Sequence, residues 1–597
     1  MDHAKKIQHV AANRRRHLQN PVASGPQKSG MRKNMSFANA QEYKRGKLNA
    51  ARKPIRQVQS MPDFRDPLRD ILRSVPFYAI HGMGSHVRKL SKTFSRHSFS
   101  GTQRGKDSLF DSQISDAIQK QGYTTRLILV VFSVLMGAIN FGYNTSVLNT
   151  PEAIIRQSLT SRPWVDDFSW AIIVSIFCIG GLLGSTIAPP LLDTMGRKTF
   201  LLYNGIFLTL ALLFQAVSMG VMWLAVARLL IGVSCGGSTV AVPLYLGEIA
   251  PVNLRGSLGT LNQFAMVVGI LLAQILGRPL GNDPGWRILL GIGAIFSTLQ
   301  VLLSVFIVES PRWLVMQGKH GKARELLKIL RGEAETSELL NMEIQSMLEV
   351  SNMERREISV GTLVRNPRLR LPFMIGIALM VFQQFSGINA VFYYSTGFFT
   401  RAGFSDPYLG TVLAGTVNVV ATWFAVELMD RAGRKALLVL SSVGMTVSSC
   451  VLTFAMVAGP MLQIELGYLE IFGVLLYVAF FEFGLGPIPW AITAELFGAV
   501  ERATAMGACS CINWVASFLV GLLFPAVNTA LGSYTFLPFA LITLVASFFS
   551  YYIVPETKGK SHKEIEAEMF GGREGSSSLD SGYSIVGGSR SKNNNRW

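Results

Sequence analysis

The sequence predicts an all-α polytopic membrane protein, with twelve transmembrane helices in two pseudo-symmetric six-helix halves and a helical loop between them. Three observations carry this. The 597 residues are 49% hydrophobic and only 16% charged, against about 25% charged in an average soluble domain. Twelve apolar stretches of about 20 residues, each long enough to cross a hydrocarbon core as a helix, follow one another between Arg126 and Pro555. A set of charged cassettes also occurs twice, in the same order and at matching distances.

The first half holds spans at about 127–148, 170–192, 200–219, 221–246, 261–281 and 287–308. The second holds spans at about 372–399, 409–429, 436–458, 466–496, 503–527 and 535–553. Most of them lack the polar face at a 3.6-residue period that a soluble helix needs. The cassettes sit between spans. Asp193-Thr194-Met195-Gly196-Arg197-Lys198, Glu248 with Arg255, and Glu309-Ser310-Pro311-Arg312 mark the first half. Asp430-Arg431-Ala432-Gly433-Arg434-Lys435, Glu495 with Arg502, and Pro555-Glu556-Thr557-Lys558-Gly559 repeat the order in the second. Glu309 follows Glu248 by 61 residues, and Glu556 follows Glu495 by 61. Six-helix repeats related by an axis along the membrane normal are one architecture of secondary transporters.

The predicted organisation is a basic, largely disordered cytoplasmic tail (1–125), an N-terminal half (126–311), a cytoplasmic helical linker (312–371), a C-terminal half (372–556) and a cytoplasmic C-terminal tail (557–597). Positive charge sets the orientation. The first 126 residues carry 25 Lys and Arg against 8 Asp and Glu, and the loops after the second, sixth and eighth spans are basic as well. The positive-inside bias therefore predicts that both termini and the central loop are cytoplasmic. The tail lacks the apolar core of a signal peptide and suits an anionic inner leaflet, where each Lys or Arg gains about 1 kcal/mol. Nucleic acid is the less economical partner for it. Within it, Asp66 to Val75 has the pattern of a short amphipathic helix, and Ser36 and Ser91 follow basic pairs in the manner of kinase sites.

Several classes of function are excluded. The five cysteines, Cys178, Cys235, Cys450, Cys509 and Cys511, all fall inside spans, so no disulfide framework is predicted. No phosphate-binding loop, zinc-protease motif or nucleophile elbow is present, and no cofactor or metal is expected. The chain does not read as an enzyme.

Function must then lie in the polar groups that the spans carry at a cost, since such groups usually face a cavity. The seventh span contains Phe382-Gln383-Gln384-Phe385-Ser386-Gly387-Ile388-Asn389, followed by Phe392 and Tyr393. Gln383, Ser386 and Asn389 fall near one helical face by i, i+3, i+6 spacing, with Phe392 and Tyr393 continuing it. Amides that both donate and accept, beside aromatic rings, suit an uncharged polyhydroxylated ligand; an ionic ligand would call for a charge. In the tenth span, Glu482 precedes Gly484-Leu485-Gly486-Pro487-Ile488-Pro489-Trp490, where two prolines predict a broken helix lining a cavity. Gln263 in the fifth span and Asn513 with Trp514 in the eleventh add amides from comparable places in the two halves.

Together, Gln383-Gln384-x-Ser386-Gly387-Ile388-Asn389, Gly486-Pro487-Ile488-Pro489-Trp490, Glu309-Ser310-Pro311-Arg312, Arg255-Gly256 and Pro555-Glu556-Thr557-Lys558-Gly559 resemble the sugar porter branch of the major facilitator superfamily, and within it the facilitative glucose (hexose) transporters. The resemblance runs from about Arg126 to Gly559. It implies a sugar site made by Gln263, Gln383, Gln384, Asn389, Asn418, Glu482, Trp490 and Asn513. It also implies salt bridges between cytoplasmic helix ends that hold the inner gate shut, formed here by Arg197, Glu248, Arg255, Asp430, Arg434, Glu495 and Arg502. Residues 312–370 are similar to the family's cytoplasmic helical bundle.

The chain departs from the best-known glucose transporters at Met380-Val381-Phe382, where they carry Gln-Leu-Ser, at Ser146, where they carry Gly, and at Ser517, where they carry Asn. Proton-coupled relatives carry Gly-Tyr-Asp in the first span, partnered by an Arg in the fourth. This chain has Gly142-Tyr143-Asn144 and keeps the Arg as Arg228. An amide does not titrate. The resemblance thus implies facilitated diffusion of a hexose such as glucose, by alternating access, in a cell membrane and most simply the plasma membrane. The alternatives are a proton-coupled symporter using Glu482, and a sugar sensor signalling through the basic tail.

Overall fold

The computed structural model describes residues 124–159, 166–251, 254–332, 337–354, 358–401, 406–462 and 466–570. The basic tail, with its amphipathic fragment and serine motifs, lies outside the described residues. So does the chain beyond Phe570.

Among the described residues the structure is helical throughout, without a strand. The first half comprises α1 (Thr125–Ser146), a short α2 (Glu152–Leu159), α3 (Asp167–Met195), α4 (Arg197–Ala216), α5 (Val221–Ile249), α6 (Arg255–Leu280) and α7 (Gly285–Leu303). A linker of four helices follows, α8 (Pro311–Met316), α9 (His320–Arg331), α10 (Ser337–Glu354) and α11 (Val360–Arg365). The second half comprises α12 (Pro367–Phe385), α13 (Ile388–Arg401), α14 (Pro407–Ala432), α15 (Arg434–Leu462), α16 (Gly467–Phe483), α17 (Ile488–Glu495), α18 (Ala499–Leu531) and α19 (Leu537–Tyr552), and α20 (His562–Phe570) closes the described chain.

Among the described residues, eleven spans are long and apolar enough to cross a bilayer. The twelfth, α19, has 16 residues and reaches about 24 Å at 1.5 Å per residue; the short 3₁₀ turn Gly532–Tyr534 before it extends the crossing. Large apolar side chains such as Leu210, Met222, Phe454 and Phe548 remain exposed around the bundle. In water so continuous an apolar surface would drive aggregation; in lipid it is the solvated face.

Within a membrane, helices adhere through close backbone approach rather than hydrophobic burial. Helices α3 and α5 do so through Gly180/Gly184 and Gly232/Gly236: a Cβ on Gly184 would stand 1.9 Å from the Val233 carbonyl oxygen, and one on Gly232 2.2 Å from that of Phe177.

The repeated cassettes fold into the same device in each half. Gly196 and Gly433 adopt φ of 89° and 95° and end one span as the next begins. The Glu309 carboxylate accepts hydrogen bonds from the Arg197 and Lys198 backbone amides at 2.8 and 3.2 Å. Glu556 accepts from Arg434 and Lys435 at 3.0 and 3.1 Å. Each acid thereby satisfies two of the free N–H groups at a helix start and opposes the positive end of its dipole.

The seventh span departs from the sequence prediction in two ways. Helix α12 begins at Pro367 rather than 372, because Asn366 caps it through Arg368 N (3.0 Å) and Pro367 suits the first helical position. The seventh span is also two helices rather than one. Gly387 takes φ of 90° between α12 and α13, and the Phe539 ring fills the space where a Cβ would be, 2.8 Å away.

Candidate functional site

The faces of the bundle differ in chemistry. One carries the start of α1, the cassettes and the linker, and is called here the basic face. The other, the far face, carries α2 and the C-terminal ends of α4, α6, α13 and α15.

Midway between the faces, the two broken spans of the second half meet. The break between α16 and α17 at Gly484–Pro487 falls where the prolines predict it. It frees backbone carbonyls, and Gln383 on α12 takes two of them: its Nε2 donates to Leu485 O at 2.9 Å and Gly486 O at 2.6 Å. Gln383 Oε1 in turn accepts from Asn513 Nδ2 of α18 at 2.7 Å. Gln384 Nε2 donates to Asn513 Oδ1 at 3.1 Å, and Asn389 Nδ2 donates to Gln384 Oε1 at 2.6 Å and to Ser517 Oγ at 2.9 Å. Four uncharged amides from three helices thus form one connected circuit. Each can exchange a bond within the circuit for one to a hydroxyl without moving charge.

The remaining predicted residues fall beside it. Glu482 at the end of α16 is buried, accepts from the Thr422 hydroxyl at 3.0 Å and is also reached by Gln263. Because Gln263 belongs to the first half, this contact joins the halves. Glu482 adjoins the circuit through Gly486, where a Cβ would stand 3.1 Å from its carboxylate. Asn418, one turn before Thr422, is fully buried, and neither of its side-chain polar atoms has a partner among the described residues. Trp490 is half-buried and packs against the apolar core just past the break.

The i, i+3, i+6 face is corrected by the break at Gly387. Ser386 is fully buried and donates to the Gln383 carbonyl at 2.7 Å, and its own carbonyl accepts from the Tyr477 hydroxyl. It braces the break instead of facing the amides. Tyr393 turns toward the other half, with its hydroxyl 3.6 Å from Cys178 Sγ, which lies 3.3 Å from Ser517 Oγ.

Residues that the sequence did not single out close the far face. Asn149 Nδ2 donates to Ser395 Oγ at 2.7 Å, and its Oδ1 accepts from Thr396 N at 3.0 Å. Arg278 of α6 pairs with Asp406 at the start of α14 at 2.9 Å. Deeper in the seam, Trp514 of the second half meets Phe141 and Phe177 of the first edge-on, with centroids 5.8 and 6.3 Å apart.

The basic face differs. Arg197 pairs with Glu248 at 2.9 Å and Arg434 with Glu495 at 3.2 Å, both inside one half, and Arg502 donates to the Phe497 carbonyl at 3.2 Å. In this state these charges fasten helix ends within a half. Among the described residues no ion pair joins the halves at this face. The side chains of Arg255 and Asp430 lie outside the described residues.

Asn144 and Arg228 are both buried, but their side chains do not pair. Arg228 Nη1 donates to the backbone carbonyl of Asn144 at 2.9 Å, and its guanidinium lies 4.6 Å from the Phe177 ring centroid. The Asn144 amide donates to Asn140 O at 2.9 Å. The cation is held by a carbonyl dipole and a π-face, with no carboxylate among the described residues hydrogen-bonded to it.

Among the described residues no cluster of His, Cys, Asp or Glu could hold a metal ion. The profile of the family described as "Sugar (and other) transporter" matches residues 129–569. The chain is 39% identical over 468 residues to "Solute carrier family 2, facilitated glucose transporter member 3" of Mus musculus, covering 75% of this chain and 94% of that one. It is 39% identical over 469 residues to member 4 of the same family from Homo sapiens, covering 75% and 91%. Among solved structures, the partially occluded inward-open form of the xylose transporter XylE from E. coli superimposes with a TM-score of 0.63 at 24% identity, over 73% of this chain and 100% of that one. A double-tryptophan XylE mutant gives a TM-score of 0.61 at 25% identity, over 74% and 98%. With twelve spans in two halves, repeated cassettes and an uncharged polar centre, the chain belongs to the sugar porters of the major facilitator superfamily.

Proposed function

We propose that this protein carries a neutral hexose, glucose being the first candidate, across the membrane by facilitated diffusion. The observation that carries the reading is the circuit of Gln383, Gln384, Asn389 and Asn513. A pyranose presents several hydroxyls that each donate and accept, and amides are the side chains that match both roles without a charge. Gln263, Asn418, Glu482 and Trp490 complete the proposed site, with the unpartnered Asn418 amide free to meet a hydroxyl and Trp490 offering a flat apolar wall to a ring. The glucose-transporter relatives support the substrate class.

Alternating access follows from where the ties lie. Hydrogen bonds and an ion pair cross the halves on the far face, while the described charges of the basic face pair within their own half. With the basic face cytoplasmic, as the positive-inside bias favours, this is an inward-facing state. Rocking the halves would break the far ties and bring the basic-face charges together across the seam, Glu248, Arg255, Asp430, Arg434, Glu495 and Arg502 among them. Coupling to protons has no evident carrier in the first span, where Asn144 offers an amide. The linker at 312–371 and the basic tail at 1–125 are assigned to the cytoplasm, the tail lying on anionic lipid of the plasma membrane. Uptake of labelled sugars from a hexose panel into vesicles containing only this protein tests the proposal. Folded protein that moves none of them would refute it, and would leave the sugar-sensor reading in its place.

A further inference from the structure

We propose that Arg278 in one half and Asp406 in the other form a charge latch over the far mouth of the carrier, closed in this state and broken when the site turns to that side. The inference rests on the alternating-access reading above. Neither residue touches the amide circuit; both are positioning residues of the cycle.

Three features of the pair support it. First, it crosses the seam. Arg278 lies in the last turn of α6, and Asp406 is the N-cap of α14, their nitrogen and oxygen 2.9 Å apart. On the same face Arg156 pairs with Glu152 and Asp167, both at 2.8 Å, but all three belong to the first half. An ion pair within one rigid half contributes equally to both states and cancels. One that spans the halves enters the equilibrium between them in full.

Second, Asp406 is held in place by its own helix. Its Oδ1 accepts from Leu409 N at 3.2 Å, leaving Oδ2 for Arg278. The acid is pre-oriented, so less side-chain freedom is lost when the pair closes.

Third, the pair caps a continuous seam between α6 and α14. One turn below Arg278, Gln274 lies against Gly415, where a Cβ would stand 1.9 Å from its Oε1. Deeper still, Phe264 and Trp423 meet edge-on at 5.8 Å. Opening the far mouth must part the top of this seam first, at the latch.

Both side chains reach solvent, Arg278 the more so, which limits the pair to a shift of about 1.5- to 5-fold in the ratio of the two states. Salt should screen it, the Debye length falling to about 3 Å at 1 M.

The test uses the full chain in nanodiscs with spin labels at Met219→Cys and Tyr468→Cys, two exposed positions on the far face of opposite halves. Cys450 and Cys511, the two cysteines that are not buried, are replaced by serine. Arg278→Gln and Asp406→Asn, the latter keeping an N-cap side chain, should each raise the ratio of long to short distances by about 1.5- to 5-fold. The charge exchange Arg278→Asp with Asp406→Arg should restore the parent ratio, and 1 M salt should bring the parent to the level of the single variants. Single variants that keep the parent ratio would overturn the proposal. So would an exchange that behaves like the single variants, or a shift in melting temperature without a change in distances. Sugar uptake by the labelled parent, measured in parallel, reads the transport proposal separately.

Discussion

Asn389→Ala and Gln383→Ala separate ligand binding from scaffold within one circuit. The Asn389 side chain bonds to Gln384 and Ser517, so its removal leaves the helix breaks intact. If Asn389 donates to a sugar hydroxyl, losing one neutral hydrogen bond costs about 0.5–1.5 kcal/mol, a rise in Kd of about 2- to 12-fold. Gln383 does more. Without its Nε2, the buried carbonyls of Leu485 and Gly486 lose a donor at 2.9 and 2.6 Å, and an unsatisfied buried group costs about 1–3 kcal/mol. Gln383→Ala should therefore lower the melting temperature of the sugar-free protein as well as weaken binding, whereas Asn389→Ala, which leaves only Gln384 Oε1 without a donor, should weaken binding with a smaller loss of stability. The assay is sugar affinity by equilibrium binding on purified protein, beside thermal unfolding with and without sugar. Unchanged affinity in Asn389→Ala, or equal loss of sugar-free stability in both variants, would refute this division of roles.

Asn149→Ala should favour the far-open state by about 2- to 12-fold or more, since it removes two buried hydrogen bonds that cross the halves; the far-face label distances read it directly. Glu248→Ala should reduce folded yield, because it removes the two-pronged partner of the buried Arg197 and leaves it Asp193 and the Leu192 carbonyl, at a cost below the about 3–5 kcal/mol of a wholly unpaired buried charge. Arg434→Ala breaks the more exposed pair with Glu495 and should cost about 1 kcal/mol or less by melting temperature. Gly387→Ala forces a side chain into the left-handed region and against Phe539. It should destabilise the protein by at least about 1 kcal/mol in the same assay.

Much of this was legible in the residues. Span count, the break at Gly484–Pro487 and the amides of the seventh and eleventh spans follow from apolar length, proline chemistry and the cost of polar groups in lipid. The cassettes were legible as a repeat, but their partners were not. That Glu309 caps α4 and Glu556 caps α15 depends on where loops fold back, a distance in space that spacing along the chain does not carry. The break at Gly387 was hidden because a lone glycine in an apolar run is compatible with a straight helix; only the Phe539 ring packed against it demands the turn. Asn149, Arg278 and Asp406 escaped notice because each is ordinary by itself and acquires its role from a residue in the other half.

The central claim is that sugar moves down its own gradient with no proton attached. Asn144 cannot titrate, and Arg228 is held by the Asn144 carbonyl and the Phe177 ring; Glu482, held by Thr422, is the acid through which the claim could fail. The decisive measurement is sugar accumulation in vesicles containing only this protein, held at an inside-alkaline proton gradient, for wild type and Glu482→Gln. Inside and outside concentrations should become equal and stay equal, with influx nearly constant for external pH between about 5.5 and 7.5. Severalfold accumulation that an ionophore abolishes, and that Glu482→Gln loses, would contradict the account and make the protein a proton symporter.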